Sequence, residues 1–203
     1  VTENKKAFPN FEALKELGAL KTFEKIPSIN SFLYEFYSMG AVRHGDYIAK
    51  VRVIPTEQTK NAITEKDIDL DSAEWPYRKG IIKEIAQKNL TFELQIQLCK
   101  DLKEMPVNDL TKEWSQELSP FRTVAKITIP KQTVPEDGNF EIMENLSFTP
   151  FRTIEENSPI GNLQRSRQSA YVTSSTSRHE LNHKKRKEPK NLEEAFSPEF
   201  YQL

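Results

Sequence analysis

The chain has 203 residues and a mass of 23.5 kDa, enough for one domain that buries roughly 70% of its unfolded surface. Lys and Arg number 29 against 30 Asp and Glu, a formal net charge of -1, so no global positive excess directs it to a nucleic acid or an anionic membrane. Its one cysteine, Cys99, excludes an internal disulfide framework and a cysteine-cluster zinc site and suits a reducing cytoplasm.

A mean hydropathy of -0.67 is polar for a globular chain, yet 12 Phe, 6 Tyr and 2 Trp supply bulky core material. The longest apolar runs, such as Ile81-Ile82, fall far short of the ~20 residues that span a bilayer. The opening Val1-Thr2-Glu3-Asn4-Lys5-Lys6 holds no apolar signal region. The expectation is a cytoplasmic, unsecreted protein with no membrane span; the first residue, Val1, leaves open that it is a piece of a longer product.

From 8 to 22, Phe11, Leu14, Leu17 and Leu20 recur at three-residue steps and predict a helix with one broad apolar side. Residues 47 to 54 are rich in β-branched and aromatic side chains and end at Pro55, which predicts a strand. From Pro55 to Gly80 the text is polar and acidic and reads as a long surface connection. Residues 91 to 98 alternate with period two, Phe92, Leu94, Ile96 and Leu98 against Thr91, Glu93, Gln95 and Gln97, so one face is expected buried and the other polar. Residues 123 to 129 repeat the pattern with Ala125, Ile127 and Ile129, and Pro130 closes them. Three strands separated by long connections imply an antiparallel sheet whose edges need covering. Ser158-Pro159 reads as the start of a helix running to about Arg178, and residues 183 to 203 read as a polar basic tail.

On that last helix Arg167 and Tyr171 stand four residues apart and Arg178 seven beyond; at ~100° per residue they share a stripe within about 40°. A guanidinium one turn from a phenol donates to the phenolic oxygen and stabilises phenolate, the form that binds ferric iron. The same spacing also fits the solvated face of an amphipathic helix. His44 reads as a surface turn residue. His179 and His183, four apart with no third ligand nearby, read as solvated, as does the basic run Lys184 to Lys187.

Two stretches together resemble the haem catalase family. Phe148-x-Pro150, Ser158-Pro159, Leu163-Gln164 and Arg167-x-x-x-Tyr171, with Arg178 seven later, are similar to the haem-ligand segment of that family. Asp109-Leu110-Thr111-Lys112-Glu113-Trp114, followed by Ser119-Pro120-Phe121 and Val124-Ala125-Lys126-Ile127, resembles its Asp-Leu-Thr-Lys-x-Trp motif and the barrel strand after it. Phe92 to Gln97 and Tyr47 to Val53 resemble the two barrel strands upstream, so the likeness runs from about Ser31 to Leu181.

The resemblance implies an α+β fold in which the second half of an antiparallel β-barrel, with flanking helices, occupies residues 1–182. It implies a haem b cofactor and a peroxide substrate, hydrogen peroxide or an organic peroxide. It implies Tyr171 as the axial iron ligand, Arg167 as the residue that holds the tyrosinate, and Arg178 as a partner of a haem propionate. Lys50 and Trp114 resemble residues on the side where some catalases hold NADPH, but Gln116 stands where that pocket commonly has histidine, so no bound nicotinamide is expected. Val172 and Ser175 also depart from the long catalases, which usually place proline and histidine there. The family's distal histidine and asparagine belong to segments upstream of everything matched. The expected activity is therefore that of a catalase-like hydroperoxidase whose distal half lies outside this chain. A fatty-acid hydroperoxide-rearranging relative and a non-catalytic barrel for binding or assembly are the alternatives, with a homo-oligomer open in each case.

Overall fold

The computed structural model describes residues 27–72, 74–134, 146–185, 189–191, 193–194 and 197. The helix expected over 8 to 22 lies outside them, as does most of the tail expected from 183 to 203.

Among the described residues, five strands form one antiparallel sheet: β1 (Phe36–Tyr37), β2 (Val42–His44), β3 (Tyr47–Pro55), β4 (Leu90–Leu98) and β5 (Arg122–Ile129). β1 and β2 pair successive stretches of one edge of β3, while β4 lies along the other edge and β5 beyond it. Gly45, at φ 62°, opens the tight turn between His44 and Tyr47, a backbone conformation that glycine adopts without a Cβ clash. β3 runs one residue further than the sequence implies, because Pro55 still sits opposite Phe92 at the end of the strand, where a missing ladder donor costs little. Among the described residues the sheet is open and does not close into a barrel.

The expected long connection after Pro55 is corrected by two helices, α1 (Glu57–Ala62) and α2 (Pro76–Ile85). Their signals are short-range: Thr56 caps α1 through its hydroxyl, which accepts from the Thr59 N–H, and Pro76 fits the first turn of α2. The polar text hid them because each buries only a few residues, Thr59 in α1 and Gly80, Glu84 and Ile85 in α2.

One face of the sheet carries Leu90 and Phe92, which pack with Ile63, Ile85, Phe32, Leu33 and Val53. The period-two pattern of β4 is as expected, but its polar face is buried too: Gln95 is 8% exposed and Gln97 2%. The segment between β4 and β5 folds back over that face and brings Met105 and Trp114 into a second cluster with Ala41 and Ile48. β5 departs from its pattern, since seven of its eight residues are exposed. Its outer edge has no strand partner among the described residues, so alternation there does not translate into burial.

The last helix, α3, spans Asn162–Leu181 with Gly161 at its cap, three residues later than a cap at Ser158 implies. Ser158 instead ends a 3-10 turn over Glu155–Asn157, and Pro159 lies opposite Val42 in an isolated bridge. This stretch is spent on tying the chain to β2. Arg43 N–H donates to Ser158 O at 2.8 Å, Ile160 N–H to Ala41 O at 3.0 Å, and Arg43 pairs with Glu155 at 3.0 Å. The helix can begin only after Gly161, at φ 94°, where an added Cβ would meet Val107 Cγ1 at 2.7 Å.

Candidate functional site

α3 presents its half-buried stripe to the rest of the protein, and the three predicted residues Arg167, Tyr171 and Arg178 all lie on it. Gln164, Ser175 and His179 of the same side are buried, so the stripe is not a solvated face. The reason lies at its first turn. The Asn162 N–H donates to Asn108 Oδ1 at 2.8 Å, and Gln164 Nε2 donates to Ala41 O at 3.4 Å. Gly40 makes the second contact feasible: a Cβ there would meet the Gln164 amide at 3.0 to 3.1 Å.

Arg167 and Tyr171 are brought together. Arg167 Nη2 donates to Tyr171 Oη at 2.7 Å, Nη1 donates to Gln164 Oε1 at 2.9 Å, and the guanidinium carbon sits 5.2 Å from the phenol ring centroid. Gln164 therefore links Ala41 of the β1–β2 connection to the arginine that grips the tyrosine. Sequence spacing gave Gln164 no role; its polar character at a position facing the core was the available signal. A permanently charged donor on a phenolic oxygen makes this pair suited to hold a ferric ion through phenolate.

Arg178 does not join them. Its Nη2 donates to Leu146 O at 2.8 Å, and its Nε is buried with no hydrogen-bond acceptor. Ser175 reaches the same segment, with its hydroxyl 2.9 Å from that of Ser147. His179, read from sequence as solvated, is 5% exposed, with Nδ1 2.7 Å from Ser175 O. The i−4 carbonyl takes up its ring nitrogen inside the helix, and no group of three or more His, Cys, Asp or Glu suited to a metal occurs among the described residues. His44 is exposed at the end of β2, as expected.

The second motif is a clamp on the sheet. Asp109 Oδ1 accepts from the Thr111 N–H at 3.0 Å and its hydroxyl at 2.6 Å, contacts that hold the carboxyl below its usual range. Trp114, 2% exposed, donates from Nε1 to Pro106 O at 2.9 Å. Gln97 Nε2 reaches up from β4 to Trp114 O at 3.0 Å and Ser119 O at 2.9 Å. Lys50 Nζ lies 4.6 Å from the Trp114 ring centroid at the edge of a cleft of about 160 Å³ that Glu113, Gln116 and Phe121 also line. Burial pushes the Lys50 ammonium below its ordinary value, against an opposing pull from Glu113.

No family model matches the chain, and no curated protein matches its sequence. Comparison with solved structures is different. A fungal catalase superposes with a TM-score of 0.62 at 19% identity, over 84% of this chain and 36% of that one. The fold is catalase-like. Catalase A from Saccharomyces cerevisiae superposes with a TM-score of 0.59 at 18% identity, over 96% of this chain and 45% of that one. The catalase-like chain thus spans less than half the length of either catalase. The α+β class read from the sequence holds, with five antiparallel strands and a few helices. No helix among the described residues is long and apolar enough to cross a membrane.

Proposed function

We propose that this chain is the proximal, iron-holding part of a haem-dependent, catalase-like hydroperoxidase. The observation that carries the reading is the 2.7 Å bond from Arg167 to the phenolic oxygen of Tyr171 on a helix of a catalase-like fold. The donor set suits haem. Tyr171 would offer the iron an anionic oxygen, and Arg167 would hold that oxygen in place. Arg178, whose buried Nε lacks an acceptor, is suited to a propionate carboxylate.

Bound haem would supply the redox-active iron that acts on the O–O bond of hydrogen peroxide or an organic peroxide. The chain's own residues do the rest on the proximal side. Tyr171 would hold the iron through its phenolate oxygen, and Arg167 Nη2 keeps one strong donor on that oxygen. Because Arg167 is itself braced by Gln164, the tyrosine ring keeps one orientation. The distal acid–base residues belong to upstream segments in the complete protein, in keeping with a chain that spans 36% and 45% of the two catalases. Residues 1–182 form the haem-binding part in this reading, and 183–203 a polar tail. The single cysteine suits action in a reducing cytoplasm.

The test is an absorption titration of this chain with ferric haem, alongside Tyr171→Phe and a chain extended upstream in its gene. A ferric tyrosinate spectrum that Tyr171→Phe loses establishes the proximal role. Oxygen evolution from hydrogen peroxide by the extended chain, measured against turnover of a fatty-acid hydroperoxide, assigns the substrate. Absence of haem binding in both the short and extended chains overturns the proposal in favour of a barrel retained for binding or assembly.

A further inference from the structure

The loop between β4 and β5 carries the Asp109–Trp114 motif, to which the haem reading gives no part. Its ties run in two directions. Toward the sheet, Gln97 Nε2 donates to the carbonyls of Trp114 and Ser119, and the Trp114 indole donates to Pro106 O at 2.9 Å. Lys112 Nζ closes the loop on Lys103 O at 2.9 Å. Toward α3, Val107 and Ile160 both pack against the cluster of Ala41, Met105 and Trp114, and Asn108 Oδ1 accepts from the Asn162 N–H at 2.8 Å.

A helix begins with four N–H groups that have no partner in their own helix. A side chain at the N-cap position usually takes one of them, but in α3 that position is Gly161, which makes no such bond. Nor can a capping side chain stand there. The φ of 94° suits glycine, and an added Cβ would meet Val107 Cγ1 at 2.7 Å and Asn108 Oδ1 at 3.1 Å. The acceptor comes instead from Asn108, 54 residues away in the chain. What it holds is the turn that contains Gln164, whose Oε1 accepts from Arg167 Nη1 at 2.9 Å. Arg167 in turn donates to Tyr171 Oη at 2.7 Å, and Tyr171 stands about 14 Å along the helix axis from the capped N–H.

We propose that Asn108 is a positioning residue for Tyr171: it supplies, from a distant loop, the cap that the tyrosine helix lacks, and the loop that carries it thereby sets where the phenol stands. Its value for iron rests on the haem reading given above; the tie itself forms without haem. Loss of the acceptor leaves the first turn of α3 free to fray. Gln164 then releases Arg167, and the guanidinium is no longer fixed on the phenolic oxygen. An aspartate at the same position keeps the acceptor oxygen and adds a charge that the helix N-terminus favours.

Carbon-13 NMR of the haem-free full chain, labelled at tyrosine Cζ, reads the hydrogen bond on the phenol. Tyr171→Phe identifies the signal, and Arg167→Met gives its value without the guanidinium. Asn108→Ala should move the Tyr171 signal toward the Arg167→Met value and leave those of Tyr34, Tyr47 and Tyr77 in place, while Asn108→Asp should keep the wild-type value. Ferric haem affinity should fall about fivefold in Asn108→Ala, the usual worth of one cap, and should hold in Asn108→Asp. A Tyr171 signal that Asn108→Ala leaves where it was overturns the proposal. So does a shift shared by the other three tyrosines, which marks a general loosening, or one that Asn108→Asp reproduces. In chains that bind haem, an affinity that Asn108→Ala leaves unchanged overturns it too. If no chain binds haem, the haem reading falls, and the tyrosine signals still decide for or against Asn108.

Discussion

Arg167 and Tyr171 form one unit: the guanidinium donates to the phenolic oxygen at 2.7 Å while its other end is held by Gln164 at 2.9 Å. A hydrogen bond to a charged group contributes about 1.5–3 kcal/mol. Replacing the arginine by methionine should therefore weaken ferric haem binding about 10- to 100-fold. Arg167→Lys, which keeps charge but loses the two-ended grip, should fall between. Absorption titrations of the three chains give the order.

Gly40 should be coupled to that pair at a distance. Gly40→Ala places a Cβ against the Gln164 amide, and the flexible amide can give way only by loosening its bonds to Ala41 O and Arg167. The expected cost to folding is about 1 kcal/mol, with haem affinity reduced as well. In a Gln164→Ala background the same change should cost little, and denaturant titrations of the double-mutant cycle show the difference.

Gln97 is the post between β4 and the folded-back loop. Gln97→Leu fills similar volume but removes the donor to the buried carbonyls of Trp114 and Ser119. Leaving buried acceptors unpaired costs about 2–3 kcal/mol. Urea unfolding should show that loss, with Trp114 emission shifted to the red as the indole is wetted.

Glu84 is fully buried, with Oε1 accepting from the Thr64 N–H and hydroxyl and Oε2 2.7 Å from Lys88 Nζ. Desolvation pushes its carboxyl up, but Lys88 and the Thr64 and Glu65 donors outweigh this and hold it below the ordinary value. Its stabilisation is thus present above about pH 4.3, the usual glutamate value, and is lost as pH falls through the depressed folded value. Between pH 5 and pH 3, Glu84→Gln should lose less stability than the wild type, as measured by thermal unfolding.

Burial pushes the Cys99 thiol up. With less thiolate at neutral pH, it should react with a disulfide reagent more slowly than free cysteine. The rate should climb with pH above the usual thiol range, and unfolding in urea should remove the difference.

Local pattern was enough for the strands: Tyr47–Pro55 and Leu90–Leu98 announce themselves through β-branched and alternating residues, since a strand's two faces are written every second position. Spacing alone placed Arg167, Tyr171 and Arg178 on one stripe of a helix. What spacing could not supply was the surroundings of that stripe. A helix face is wet or buried according to what lies across from it, and here Ala41, Asn108 and Leu146, distant in sequence, decide that Tyr171 meets Arg167 while Arg178 is drawn away to a carbonyl. The same holds for Gln97 and His179, polar residues whose burial depends on a returning loop and a helix's own carbonyl. It holds in the opposite sense for β5, whose apolar alternation remains exposed because no strand lies beyond it among the described residues. The sequence by itself determined the period of each strand and the chemistry of the stripe, both properties of neighbouring residues. Tertiary structure alone decided which of those faces was desolvated, because burial is a relation between segments that the chain brings together only on folding.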